Sequence, residues 1–250
     1  MISNNYLISY RTLRRLIGIL GLLLPFLCWW VNAVVNKLNL LNNPVLVCKD
    51  FSATYKPDAD LKSSVSHFYY TAAGPLFTGI LITVAIFLFC YNGHHENEKD
   101  DRYPWLTDRR VTVFAAICAL GIVFFPTTSS KPITDNIHIF VSSGLAGNIH
   151  IGFAALFFLA IAILCIINFR RQPGKQLITD AEGKIYLVCG WGMIICLLVL
   201  AIAFITSGID RWLWGRFTFI MEVIMLLLFG TAWLVKGKSI PTEFILKKLV

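Results

Sequence analysis

The sequence predicts an all-α, polytopic transmembrane bundle of six helices, and three observations lead there. Charged residues are only 14% of the 250-residue chain and hydrophobic ones 57%, whereas a soluble domain carries about 25% charged residues. The apolar residues gather into separate runs near the roughly 20 residues that cross a bilayer. Lys and Arg border those runs instead of interrupting them. The chain reads as a single integral membrane domain, residues 1–250, with a long extracytoplasmic loop at about 36–73.

The first span is Leu16 to Val35, preceded by Arg11, Arg14 and Arg15. A signal peptide is the rival reading, with Val31-Asn32-Ala33 as a weak cleavage site. The length of the run, and Trp29 and Trp30 just before that site, favour a retained helix, which Pro25 is expected to kink. The long loop ends in Ser63-Ser64-Val65-Ser66-His67-Phe68-Tyr69-Tyr70. Its serines suit a cap on the next helix, and its tyrosines suit a membrane interface.

Span two is Gly74 to Tyr91, followed by a charged loop that holds His94 and His95. Span three is Val111 to Phe125, stopped by Pro126. The stretch from Ile133 to Arg171 opens polar, with Asp135, His138, Asn148 and His150, and continues apolar to Ile167. Helical throughout, it would measure about 58 Å at 1.5 Å per residue, nearly twice a bilayer core. A break is therefore expected near Ser142-Ser143-Gly144 or Gly147, with a short re-entrant or amphipathic segment before it. The true span then runs from about Leu145 to Phe169. Span five is Ile185 to Ile205, and a tight turn with Asp210 leads into span six, Phe217 to Val235.

The basic residues give the orientation. With the N-terminus cytoplasmic, the inner segments hold fifteen Lys and Arg and the outer segments seven, which favours six spans with N- and C-termini cytoplasmic. The net charge of +8 does not point to nucleic acid, because no basic patch with interleaved aromatics forms. Six of the seven cysteines lie in apolar runs and only Cys48 in a loop. They read as small buried hydrophobes. No phosphate-binding loop, nucleophile elbow or dinucleotide fingerprint occurs, so soluble-type catalysis has no support.

Glu222 is the strongest functional signal. It lies about six residues into an apolar helix, where a carboxylate is costly and normally has a partner. His150 enters from the same face at a comparable depth, so a Glu222–His150 pair is geometrically possible. The remaining outer-face candidates are His67, Asp135, His138, Asn148 and Asp210, and Tyr70 joins Glu222, His150 and His67 in the pocket lining considered below. Asp135 and His138 are three apart and would share a helix face. Together with His67, His150 and Glu222 they make a zinc site conceivable. No paired-histidine motif supports it, and no cofactor or metal is expected.

Several short stretches carry a resemblance. Ser64-Val65-Ser66 with Tyr69-Tyr70, Phe87-Leu88-Phe89 with Tyr91-Asn92-Gly93, Phe125-Pro126-Thr127, His150 with Phe153-Ala154-Ala155-Leu156-Phe157-Phe158, and Glu222 with Phe229-Gly230-Thr231-Ala232-Trp233-Leu234-Val235-Lys236-Gly237 together resemble a bacterial family of six-span membrane proteins, the domain-of-unknown-function-998 type. That family is similar in layout to the Frag/DRAM/Sfk membrane proteins. The resemblance covers most of the chain from Ser63 onward. It implies six helices, a long first outer loop and residence in the bacterial cytoplasmic (inner) membrane, and it supplies no activity. Ser63 and His67 also match the S-x-x-x-H spacing of the alkaline ceramidase and adiponectin-receptor type of seven-span zinc hydrolases, from which this chain departs in its six spans and in lacking a late H-x-x-x-H.

The function expected is recognition of a membrane lipid or small ligand in an outer-face pocket lined by Glu222, His150, His67 and Tyr70. One alternative is a metal-dependent lipid hydrolase with His67, His138 and His150 as ligands and Glu222 as general base. Another is a proton- or ion-coupled transporter in which Glu222 titrates.

Overall fold

The computed structural model describes residues 9–38, 61–93, 105–128, 143–171, 177, 180–206 and 215–239. Among them the chain is helical, with no strand. The α-helices are α1 (Tyr10–Lys37), α2 (Gly74–Cys90), α3 (Asp108–Phe124), α4 (Ser143–Ile166), α5 (Ala181–Thr206) and α6 (Phe217–Lys236). Two 3-10 turns accompany them, η1 (Val65–Tyr70) and η2 (Asn168–Arg170).

Four of these helices are long and apolar enough to cross a membrane: α1, α4 with η2, α5 and α6. The helix α2 is apolar but has only 17 residues, about 26 Å at 1.5 Å per residue. The helix α3 has the same length and begins with Asp108, Arg109 and Arg110. The protein is therefore a membrane-embedded helical protein.

The order of packing is simple. Each helix lies against its neighbours in sequence, α1 on α2, α2 on α3, and so on to α6, and α6 closes the ring by packing on α1. The α1–α6 seam is tight because two glycines face each other. A Cβ on Gly230 would stand 2.7 Å from the Gly18 carbonyl oxygen, and one on Gly18 would stand 2.9 Å from that of Gly230. Small residues let helix backbones approach this closely, which gains dispersion energy where no water is expelled.

The outer surface of the ring is apolar. Val188, Trp191, Ile195, Leu198 and Ile202 recur every three to four residues along α5 and are all exposed, a continuous stripe on one face. Ile82 and Ile86 on α2, Phe114 and Ile117 on α3, and Leu156 and Leu159 on α4 are exposed in the same way. In water such a surface would aggregate; in lipid it is solvated.

Local boundaries follow familiar chemistry. Thr107 caps α3 by accepting from the Arg110 amide. Helix α1 extends from Tyr10 to Lys37, beyond the expected Leu16–Val35, and passes Pro25 without interruption. The basic first turns are helical because polar residues continue a helix past the apolar core. Helix α4 begins at Ser143, near the expected break. The re-entrant segment expected before it lies outside the described residues, as do most of the long loop, His94, His95 and Asp210.

Candidate functional site

At the end of the ring where α2, α4 and α6 begin, η1 tucks against α1, α2 and α6. Val65, Ser66 and Phe68 are buried, while His67, Tyr69 and Tyr70 are half-buried. Ser64 is the N-cap of η1, its hydroxyl oxygen accepting from the Ser66 amide at 3.0 Å. The serine capping expected for span two thus belongs to η1. Helix α2 itself starts after Ala73 with no side-chain cap, and Pro75 sits in its first turn.

Glu222 anchors η1. Its carboxylate accepts from the Ser64 hydroxyl at 3.0 and 2.9 Å and from the Val65 amide at 2.6 Å. The backbone reinforces this joint, since the Phe219 amide donates to the Ser63 carbonyl at 2.9 Å. That amide is one of the first-turn donors a helix leaves without an internal partner. Phe68 packs edge-on against Phe219 with centroids 6.4 Å apart.

His150 anchors η1 from the other side. Its Nδ1 lies 2.8 Å from the Phe125 carbonyl and 3.1 Å from the Ile122 carbonyl, and its Nε2 lies 2.8 Å from Ser66 Oγ. Carbonyls only accept, so Nδ1 carries the hydrogen, and in the neutral ring Nε2 accepts from the Ser66 hydroxyl. The bonds of Glu222 and of His150 go to neighbouring residues of one segment, Ser64 and Val65 for the acid and Ser66 for the imidazole. Each holds a different serine of the same 3-10 turn.

His67 follows the same logic at the rim. Its Nε2 faces the Thr128 carbonyl at 3.2 Å, so that nitrogen donates, and Nδ1 then accepts from the exposed Ser63 hydroxyl at 3.1 Å. Burial pushes its pKa below the usual histidine value, the Thr128 bond works against that shift, and the Lys62 charge adds to it. The ring is neutral at pH 7. Tyr70 donates to the Thr127 carbonyl at 2.6 Å. Burial, and secondarily Tyr69, push its pKa up to about 12, so it stays a neutral donor.

These bonds bear on metal chemistry. In the neutral tautomers just assigned, the free lone pair of each ring is taken by a serine hydroxyl, so neither His67 nor His150 offers a ligand nitrogen in this arrangement. Among the described residues no group of three His, Cys, Asp or Glu is placed to hold a metal ion. Asp135 and His138 lie outside the described residues. Cys28, Cys118, Cys165, Cys189 and Cys196 are buried free thiols and Cys90 is exposed.

Of the residues singled out in the sequence, Glu222, His150, His67 and Tyr70 all lie in or against η1. Their bonding partners, the hydroxyls of Ser64 and Ser66 and the carbonyls of Ile122, Phe125, Thr127 and Thr128, were not indicated by the sequence. Pro126 was the available signal: it ends α3 and leaves the last carbonyls without helical donors. No protein-family model, curated protein or solved structure shows significant similarity to this chain.

Proposed function

We propose that this is a six-span membrane protein, N- and C-termini cytoplasmic, that recognises the polar part of a lipid or small ligand at the rim of η1. The observation that carries this reading is the division of η1 into a root and a rim. Ser64, Val65 and Ser66 are fixed by Glu222 and His150. His67, Tyr69 and Tyr70 stay half-buried at the mouth of the ring. A polar rim held rigid by buried bonds meets a ligand with little ordering entropy left to lose, and the flanking apolar helix faces suit an acyl or other apolar tail.

Kinship with the bacterial six-span family of the domain-of-unknown-function-998 type is part of the same proposal. Its support is where the motifs fall. Ser64-Val65-Ser66 binds Glu222 and His150. Phe125-Pro126-Thr127 supplies carbonyls to His150 and Tyr70. Phe229-Gly230 and Trp233 lie in the tight α1–α6 seam and in the buried core. The inner bacterial membrane follows from that kinship. The six-span count rests on the exposed apolar faces of α2 and α3, whose short helices a locally thinner bilayer accommodates.

The test is native mass spectrometry of detergent-purified protein after exposure to a phospholipid mixture, wild type beside His67→Asn and Tyr70→Phe. The expected result is a retained adduct that falls several-fold in both variants while the melting temperatures stay within a few degrees. An adduct indifferent to both substitutions, or no adduct at all, would reduce η1 to a packing element.

A further inference from the structure

At the opposite end of the ring, where α1, α3 and α5 begin, α3 carries a surface that the η1 site does not use. Arg110, Phe114, Ile117 and Phe124 are all exposed. Their spacing sets them in one stripe along the helix, so an arginine stands at the end of an apolar face. Arg109, also exposed, is beside it and bonds to Asn92 just past the end of α2.

The turn before α3 holds out an indole at the same level. Trp105 is 62% exposed, yet its backbone is fixed. Arg110 Nη1 donates to the Trp105 carbonyl at 2.8 Å. Asn168 Nδ2 and Arg171 Nη1 donate to the Leu106 carbonyl at 2.9 and 2.8 Å. Thr107 Oγ1 then accepts from the Arg110 amide at 3.2 Å. An exposed indole on a pinned turn, at the end of an apolar helix face, suits the headgroup level of a bilayer.

The exposed charge in this turn has one sign. Asp108 is buried and bonds inward to Asn168 at 2.9 Å and to the Tyr91 hydroxyl at 3.5 Å. Arg110 gives one of the five N–H donors of a guanidinium to Trp105, which leaves donors for an acceptor outside the chain. Helix α5 provides the contrast. Lys184 lies in line with Val188 and Trp191, all exposed, but Asp180 and Glu182 accompany it in the same turn.

We propose that the start of α3 is a binding surface for an anionic phospholipid. Arg110 and Arg109 take the headgroup, Trp105 lies beside it, and an acyl chain runs along Phe114 and Ile117. Planar guanidinium N–H pairs match phosphate oxygens. A zwitterionic headgroup brings its own ammonium and gains less from two arginines. The helix has only 17 residues, about 26 Å, so a leaflet that thins to meet it brings headgroups to Arg110. The inference rests on the six-span reading above, which sets α3 in lipid, and not on the η1 rim. Glu96, Glu98, Asp100 and Asp101 of the preceding loop lie outside the described residues, so the preference is measured on the full chain.

The test is native mass spectrometry of delipidated full-length protein offered equal phosphatidylglycerol and phosphatidylcholine. Wild type is expected to retain phosphatidylglycerol preferentially. Arg110→Gln should lower that preference roughly fivefold, the effect of one basic residue at an anionic surface. Lys184→Gln should leave it nearly unchanged, and so should His67→Asn, which acts on the η1 rim. Absence of the preference in wild type overturns the proposal. So does a preference that Arg110→Gln keeps in full or that Lys184→Gln lowers as much. Labelling of Ile117→Cys by a water-soluble maleimide in nanodiscs separates the two readings. Protection without lipid preference overturns the lipid surface alone, whereas reaction overturns the six-span reading and this surface with it. Should Arg110→Gln fail to fold, wild type with a photoreactive acyl-chain phosphatidylglycerol decides. Cross-links on the peptide holding Phe114 and Ile117 support the surface, and cross-links only elsewhere overturn it.

Discussion

Ser64 and Glu222 are 158 residues apart in sequence, yet the serine hydroxyl donates to the Glu222 carboxylate at 2.9 Å. The same carboxylate takes the Val65 amide at 2.6 Å. One acid in α6 therefore fixes the conformation of a segment that precedes α2. The described end of the chain before α2, Ser63 to Val65, is tied to α6 at this joint.

Replacing Glu222 tests that joint. Glu222→Gln keeps one acceptor and loses the charge, and is expected to lower stability by roughly 1–3 kcal/mol. Glu222→Leu leaves the Val65 amide and the Ser64 hydroxyl unmet and is expected to cost more. Thermal unfolding in detergent gives the order. Equal melting temperatures for wild type and Glu222→Leu would mean that the carboxylate does not hold η1.

His150 and Ser66 form the second joint, 2.8 Å across. A double-mutant cycle with Ser66→Ala, His150→Phe and the pair should show a coupling of about 0.5–3 kcal/mol. Strict additivity would deny the hydroxyl–imidazole bond. His150→Phe should also be the more damaging single change, since it removes the bonds to the carbonyls of Ile122 and Phe125 as well.

His67 makes stability depend on pH with a definite sign. Its pKa in the folded protein is lowered, first by burial, so the unfolded chain binds the extra proton more readily. Stability is complete above the unfolded histidine pKa of about 6.5 and is lost as pH falls through it, levelling off below the folded pKa. Between pH 8 and pH 5 the melting temperature of His67→Asn should fall less steeply than that of wild type. Parallel slopes would mean that the ring is as readily protonated folded as unfolded.

The α1–α6 seam predicts a contrast among glycines. Gly230→Ala would bring a Cβ to 2.4 Å from Leu22 Cγ and 2.7 Å from the Gly18 carbonyl oxygen, and is expected to cost about 1–3 kcal/mol. Gly79→Ala meets nothing within 4 Å and should be neutral or slightly stabilising, since alanine favours helix by up to about 1 kcal/mol over glycine. Size-exclusion profiles and melting temperatures of the two variants separate these outcomes.

The sequence by itself determined the helical class, the membrane setting and most helix limits. Gly74 and Phe217 begin helices where apolar runs begin, because a bilayer demands contiguous apolar length and that demand is written locally. It also marked Glu222 and His150, since a polar side chain inside an apolar run is conspicuous whatever surrounds it. Their partners were not legible. Ser64, Ser66 and the carbonyl of Phe125 are ordinary loop groups in the sequence, and they become ligands of buried side chains only after α3, α4 and α6 are brought together. The aromatic cluster of Tyr91, Phe169, Tyr186 and Trp233 shows the same division. Arg14 and Lys236 are charges bordering apolar runs in the sequence, and nothing there connects them with Trp233 and Tyr186. That Arg14 lies over the Tyr91 ring and Lys236 over those of Phe169 and Tyr186 was decided by the packing of α1 on α2 and of α6 on α5. Burial is a property of the chain one residue at a time, whereas hydrogen-bond satisfaction is a property of pairs, and only the tertiary structure chooses the pairs.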